Sequence, residues 1–337
     1  MACVGGCAPL ARETRFLVTS SRTFPPKRAS RRRVGARAQD HRMGEVFLGG
    51  EAVAAGRMTR HELRRWYEPI FRGVYVPKGS EPSLRDRAIA AWLASGRRGV
   101  VTGVAASALH GAPWVDPGHA IELVGVSCRP QPGLVARAEA VADDEVTRRS
   151  GLPVTTRVRT AFDLGRHQPR PEALARLDAL MWNQRYAIDD VLALAERYPR
   201  ARGVRQLREL LPLVDGGAAS PQESRTRLWL IDAGMPRPET QIPVAKGSRT
   251  VAFLDMGWEG YMVAVEYDGD HHRKDRRQYV KDIARLRMLE DLGWIVIRVI
   301  AEDRPSEWLA RVEAALVSRG CRIEPNEVQR FVRTYAA

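Results

Sequence analysis

Between residues 255 and 272 the chain gathers three carboxylates and a histidine: Asp255, Glu266, Asp268 and His272. They lie in two apolar runs, Phe253-Leu-Asp255 and Val263-Ala-Val-Glu266-Tyr-Asp268, the second followed by Gly-Asp-His-His272. Side chains alternate faces along a strand, so Glu266 and Asp268 point one way and Val265 and Tyr267 the other. If the two runs form a hairpin, the Asp255 carboxylate lies beside theirs. Converging carboxylates repel, and a divalent cation resolves the repulsion. Mg2+ takes a few oxygen ligands at about 2.1 Å and keeps several waters. A water acidified by the metal attacks a phosphodiester, while the ion stabilises charge on the phosphorus oxygens. His272, four residues past Asp268 at a turn, has the type and place of a base or proton donor.

Each of these residues also has a plain structural reading. Acids at strand ends keep a sheet edge soluble, and the His pair reads equally as a polar turn; a His-only zinc site would need a third ligand that cannot be placed. The metal reading gains weight because Glu266 and Asp268 follow an apolar stretch, where solvated carboxylates are less expected. Glu223, in Ser220-Pro-Gln-Glu223, fits the third position of a helix with Ser220 as its N-cap. The arginine-studded stretch 273–287 reads as a solvated helix face, with phosphate contact as the competing reading.

The elements that must hold this group begin after the break at Asp215-Gly-Gly-Ala-Ala-Ser220. A helix runs from Ser220 to Gly234, with proline at its first position. Strands are expected at 240–244, 250–256 and 261–268, a helix at 275–291, a strand at 294–300 and a closing helix from 306 to about 319. A strand reached through a helical crossover implies a mixed sheet with helices on it. Upstream, Thr59-Arg-His-Glu62 starts a helix as a capping box. That helix carries Leu63 and Trp66 on one side and Arg60, Arg64 and Arg65 on another. The β-like runs around Gly73 follow it, which is the layout of a winged helix-turn-helix. Residues 116–215 alternate two strands with three helices and show no chemistry. The expected fold is therefore multi-domain α/β. A basic segment over 1–42 precedes a winged helix over 43–115, a connecting α+β domain over 116–215, a mixed-sheet domain over 216–320 and a tail over 321–337.

At 337 residues the chain exceeds what one core usually serves. Its 44% hydrophobic and 28% charged residues exclude a wholly disordered chain, and no apolar run reaches the ~20 residues of a membrane span. Residues 1–42 hold ten basic and two acidic side chains, +8 of the chain's +14. They read either as a solvated tail or as an over-extended start with Met43 as the true first residue. Only five of the 54 basic residues are lysine, a bias that genome composition explains as readily as nucleic acid. Cys3, Cys7, Cys128 and Cys321 lack the spacing of a disulfide framework or zinc site, and with no secretion signal the expected place is the cytoplasm, near the nucleoid.

The last ~105 residues resemble the small endonuclease domains related to very-short-patch-repair enzymes, in the PD-(D/E)XK nuclease superfamily. The carriers are Ser220 and Glu223, the strand ending in Asp255, Glu266-Tyr-Asp268-Gly-x-x-His272, Asp282-x-x-Arg285, Leu289, Gly293-Trp294 and Arg298. The resemblance implies a restriction-endonuclease-like mixed sheet flanked by helices. It further implies that Asp255 and Glu266, with Glu223 as a further candidate, hold Mg2+ or Mn2+. Asp268, counted here with the metal and catalytic candidates, stands where the superfamily's lysine sits, and His272 is acid, base or phosphate contact. Arg285 and Arg298 are structural or phosphate-facing. Leu254 also replaces the proline of the superfamily's name.

The N-terminal half resembles the winged-helix region of AbiEi-type antitoxins and their transcription-regulator relatives. It does so through Ala55-Gly-Arg-Met-Thr59-Arg60, Arg72-Gly-Val-Tyr75-Val76, Ala105-Ala-Ser-Ala-Leu109-His110-Gly111 and Arg159-Thr160-x-x-Asp163-Leu164. That implies DNA contact through Arg60, Arg64 and Arg65. The leading expectation is a metal-dependent endonuclease that hydrolyses double-stranded DNA and is targeted by a winged helix. The alternative is a non-catalytic regulator, antitoxin-like, with a vestigial nuclease fold and a partner gene product. A homodimer is compatible with both.

Overall fold

The structure, a computed structural model, describes residues 46–182, 184–269 and 276–323, the side chains of 276–279 excepted. The expectations for 1–42, for His272 and for most of the tail beyond 320 lie outside the described residues. Met43–Ala337 groups as one compact unit.

The first elements are β1 (Phe47–Leu48), α1 (Gly49–Ala54), α2 (Arg60–Trp66), β2 (Tyr67–Phe71) and β3 (Val74–Pro77). Thr59 and Glu62 cap α2 reciprocally, as their spacing predicts. The strands form an antiparallel sheet in the order β1-β3-β2, closed by the Arg72-Gly73 turn, where Gly73 has φ +77°. Leu63 is buried with Phe47, Ala52, Met58 and Tyr67, which fastens α2 to this sheet. Trp66, expected beside Leu63, is 53% exposed instead. It lies beneath the Arg65 guanidinium, 4.9 Å from its ring centroid, because the helix ends there and the chain turns into β2.

Next come α3 (Leu84–Ala94), β4 (Val100–Thr102), α4 (Gly103–Leu109), β5 (Ile121–Val124), β6 (Leu134–Arg137), β7 (Val146–Arg149) and β8 (Leu152–Thr155). Their sheet has the order β6-β5-β4-β8-β7. It crosses the boundary expected at 115/116: β4 pairs with β5 and β8, so α3, β4 and α4 share the core of the middle region. The physical reason is the Val100-Val101 pair, fully apolar and buried only as the central strand between those two neighbours. Four helices, α5 (Arg157–His167), α6 (Arg170–Trp182), α7 (Ile188–Arg197) and α8 (Val204–Leu210), pack together beside it.

The last region contains α9 (Pro221–Asp232), β9 (Glu239–Lys246), β10 (Arg249–Trp258), β11 (Val263–Tyr267), α10 (Arg276–Asp291), β12 (Ile295–Val299) and α11 (Pro305–Ser318). The mixed sheet has the order β12-β11-β10-β9, with β11 and β12 parallel through α10 and the other pairs antiparallel. Val263 and Val265 pack with residues of α9 and α11, whereas Ala264 packs with Leu289 of α10. Helices thus cover both faces. Gly257 allows β10 and β11 to close, since a Cβ there would meet the Val263 carbonyl oxygen at 2.4 Å. The region is moored to α6 by Arg227 and Asp178, both buried, whose closest atoms are 2.7 Å apart.

Candidate functional site

A cleft of about 320 Å3 lies between α10 and the ends of β10 and β11. Asp255, Glu266, Asp268 and Asp282 supply its acids and Arg285 and Arg298 its bases, with Tyr267 and Leu286 completing the wall. Strand alternation sends Glu266 and Asp268 to the face of Ala264, the face that α10 covers. Asp255 arrives from β10, and its carboxylate accepts a hydrogen bond from the Tyr267 N–H at 3.1 Å. The sequence-predicted residues Asp255, Glu266 and Asp268 therefore share one cleft.

Two of those acids already have cations. Arg285 binds Glu266 through two hydrogen bonds, 2.9 and 2.5 Å, and also donates to the Phe253 carbonyl at 2.7 Å. Arg298 pairs with Asp268. Both arginines serve the cleft's own carboxylates, an internal role that their place in an amphipathic helix and an apolar strand did not reveal. In the parallel register Arg298 sits opposite Glu266 yet reaches Asp268, two residues on.

Among the described residues Asp255 has no such partner, and its pKa is pushed up to about 7. Burial is the largest cause, followed by the negative charges of Glu223 and Glu266, with the Tyr267 N–H and Arg285 opposing. Glu223 is also raised by burial. Ser220 caps α9 as expected, its hydroxyl accepting from the Glu223 N–H at 3.1 Å, but the Glu223 carboxylate accepts from the Ala219 N–H at 2.8 Å rather than closing the box on Ser220, and its charge reaches Asp255. Asp255, Glu266 and Glu223 are the ligand types a divalent cation takes, and one bound there would offset the burial and repulsion that raise Asp255, but among the described residues their oxygens do not all lie within 4.8 Å of one another. Glu266 and Asp268 already have their charge met, by Arg285 and Arg298 respectively. His272 lies outside the described residues.

At the other end of the chain, α2 presents Arg60, Arg64 and Arg65 to solvent. None of the three pairs with a carboxylate among the described residues. The Lys78 ammonium binds the Arg64 carbonyl at 2.8 Å, joining the end of the hairpin to the helix. Three uncompensated cations on one short capped helix beside a hairpin can contact a polyanion.

Sequence reasoning passed over the middle region, where buried charge is densest. Arg159 and Asp163, each 1% exposed, form the centre of a buried network. Arg159 donates to both Asp163 oxygens at 3.1 Å and pairs with Glu145, which also accepts from the Tyr198 hydroxyl at 2.6 Å. Arg166 bridges Asp163 at 2.8 Å and Glu139 at 2.5 Å. Glu139, Asp163 and His167 are, among the described residues, the one group of three metal-ligand types with atoms within 4.8 Å of one another. The Arg166 guanidinium already supplies their positive charge, so the network acts as a strut between sheet and helices. The signal was present in Arg159-Thr160-x-x-Asp163-Leu164, whose charges fall on adjacent turns of one helix.

Comparison with known proteins bears on this middle region. The family profile of the AbiEi antitoxin C-terminal domain matches residues 87–213. Two uncharacterized proteins of Mycobacterium tuberculosis, from strains CDC 1551 / Oshkosh and ATCC 25618 / H37Rv, are each 33% identical to the chain over 271 residues, covering 76% of it and 96% of their own length.

Proposed function

We propose, from the premise that the chain belongs to the family of these two mycobacterial proteins, that it is an antitoxin-type, DNA-binding regulator. In this reading α2 and the β2–β3 hairpin bind duplex DNA. The region matched by the AbiEi antitoxin C-terminal domain binds a partner protein, a toxin by the analogy of that domain's name. The observation that carries the reading is the match over 87–213, downstream of a capped helix whose Arg60, Arg64 and Arg65 are exposed and, among the described residues, without carboxylate partners. The pairing of Glu266 with Arg285 and of Asp268 with Arg298 supports it further, because the protein's own cations occupy acids that a catalytic metal would need.

The test is footprinting of the purified protein on its own promoter DNA, with Arg60→Gln/Arg64→Gln as the control. A protected site without cleavage, lost in the variant, supports the regulator. Each phosphate contact removed should lower the salt dependence of log K by about 1. Promoter affinity that ignores salt would sink the reading.

One observation favours a second reading, a metal-dependent endonuclease. Asp255 is held near neutrality beside Glu223 and Glu266, in a cleft with two arginines. There Asp255, Glu266 and Glu223 would hold Mg2+ or Mn2+, which when bound supplies an acidified water and charge stabilisation at phosphorus. Arg285 orients Glu266, and Arg298 keeps Asp268 from repelling the phosphate. Plasmid nicking that requires Mn2+ and vanishes in Asp255→Ala supports this reading. Intact plasmid across Mg2+, Mn2+ and Co2+ removes it.

A further inference from the structure

A second cleft, of about 370 Å3, opens in the middle region beside the start of α5 and the segment leading to α7. Its charged walls are Arg149 at the end of β7, Arg157 at the start of α5, Arg185 before α7 and a single acid, Asp190. The volume falls within the usual small-ligand range of about 300–1,000 Å3.

Arg157 is the informative residue. It is half-buried, and its guanidinium donates to the carbonyls of Leu180 and His110, both at 2.8 Å, and to the side-chain oxygen of Gln184 at 2.7 Å. Every one of those partners is neutral, so the charge is held in place and left uncompensated. Burial and the nearby Arg149 both press its pKa downward. Arg149 and Arg185 are exposed, and among the described residues neither has a carboxylate partner. Three arginines lining one cleft, with the charge of Arg149 felt at Arg157, mirror the carboxylate group at the other cleft: an anion relieves them.

Two further features point to the rest of the ligand. His110 is 8% exposed and lines the same cleft. Its Nε2 faces the Thr155 carbonyl at 2.8 Å and so carries the proton, while Nδ1 is a buried acceptor with no donor. Burial lowers the pKa of this ring, consistent with the neutral form. Second, the three acceptors that Arg157 holds lie on the two segments bearing an exposed aromatic pair. Trp114 follows His110 by four residues, and Trp182 precedes Gln184 by two. Their rings are 5.3 Å apart and set at 72°, and they remain 37% and 38% exposed. The two tryptophans do not line the cleft, but they lie within four residues of His110 and Gln184, which do, and their solvent-facing rings offer a planar base a surface to stack on while its phosphate meets the guanidinium groups.

We propose that this cleft binds the phosphate of a nucleotide, with the base against Trp114 and Trp182 and the phosphate on Arg149, Arg157 and Arg185. Free nucleotide and the end of a single strand share this chemistry. The site is separate from the duplex contact assigned to α2 and stands whether or not that assignment holds.

The test is calorimetric titration of the full chain with ADP, with tripolyphosphate and with a short 5′-phosphorylated thymidine oligonucleotide. Arg149→Gln/Arg185→Gln is the chosen variant because both side chains are exposed, and an unchanged melting temperature confirms its fold. The expected result is ADP or oligonucleotide binding that the double variant weakens by roughly tenfold or more. Trp182→Ala should weaken the base-bearing ligand and leave tripolyphosphate unchanged. Preference for ADP identifies the source as free nucleotide, and preference for the oligonucleotide identifies a strand end. The proposal is overturned if neither ligand binds at millimolar concentration, or if the double variant binds both as well as the parent. A double variant that loses affinity for duplex DNA alone would also overturn it, by assigning these arginines to the duplex contact.

Discussion

In the C-terminal cleft Glu266 and Asp268 each have an arginine, and among the described residues Asp255 has none. Its folded-state pKa of about 7 lies above the ordinary carboxylate value. Stability linked to it is therefore fully present below the ordinary value and lost as the pH rises through about 7. Asp255→Asn should raise the melting temperature by a few degrees more near pH ~8 than near pH ~5. The gain is of order 1–2 kcal/mol once solvent screening is allowed for. A mutant-minus-parent difference that stays flat across that window would refute the charge assignment. Mn2+ should stabilise the parent in the same pH range and not the variant, if the cleft holds a cation. Arg285→Met leaves Glu266, 8% exposed, without its counter-charge and should cost roughly 2 kcal/mol in chemical denaturation. Adding Glu266→Gln to it should recover much of that loss, since the penalty is the stranded carboxylate.

Helix α2 is short, seven residues, and helices of that length are marginal in water without outside support. Its support is the Thr59–Glu62 capping box at one end and buried Leu63 on its inner face. Thr59→Ala should destabilise α2 by about 1 kcal/mol and weaken the proposed promoter binding, because the arginines lose a fixed frame. Hydrogen exchange of the 60–66 amides would report the loosening directly; amides protected as in the parent would show that Leu63 alone secures the helix. The same element logic explains the mixed sheet. Parallel β11 and β12 need a crossover, and α10 as that crossover is what carries Arg285 over the acids of β11.

At the scale of the molecule, the middle region is the keystone. Its core reaches the first sheet through Phe71 and Val74, and its α6 binds α9 through the buried Asp178–Arg227 pair. A fragment ending at residue 115 would strip β4 of both neighbours and expose Val100 and Val101. It should be unfolded or aggregated by circular dichroism and light scattering, and a soluble, cooperatively melting 43–115 fragment would disprove the shared core. The match to the AbiEi antitoxin C-terminal domain begins at residue 87, on the near side of β4, in agreement with that core. Among the described residues no helix is long and apolar enough to cross a membrane.

Local signals determined a great deal from sequence alone. Periodicity and capping placed α2, α9, α10 and the strands of the last sheet to within a few residues, because those signals act over one or two turns. Alternation placed Glu266 and Asp268 on one face, because a strand has only two. The sequence could not say which cation each acid would find, since Arg285 and Arg298 come from 19 and 30 residues away and meet them only through the crossover. Nor could it show that β4 belongs with strands beyond residue 115, or that Arg159, Arg166 and Arg157 are interior charges. Burial is a property of what packs around a residue, and in this chain nearly every base is an arginine, so composition cannot separate a guanidinium facing water from one locked inside. The tertiary structure made that separation, by deciding which charges lost their water and which neighbours replaced it.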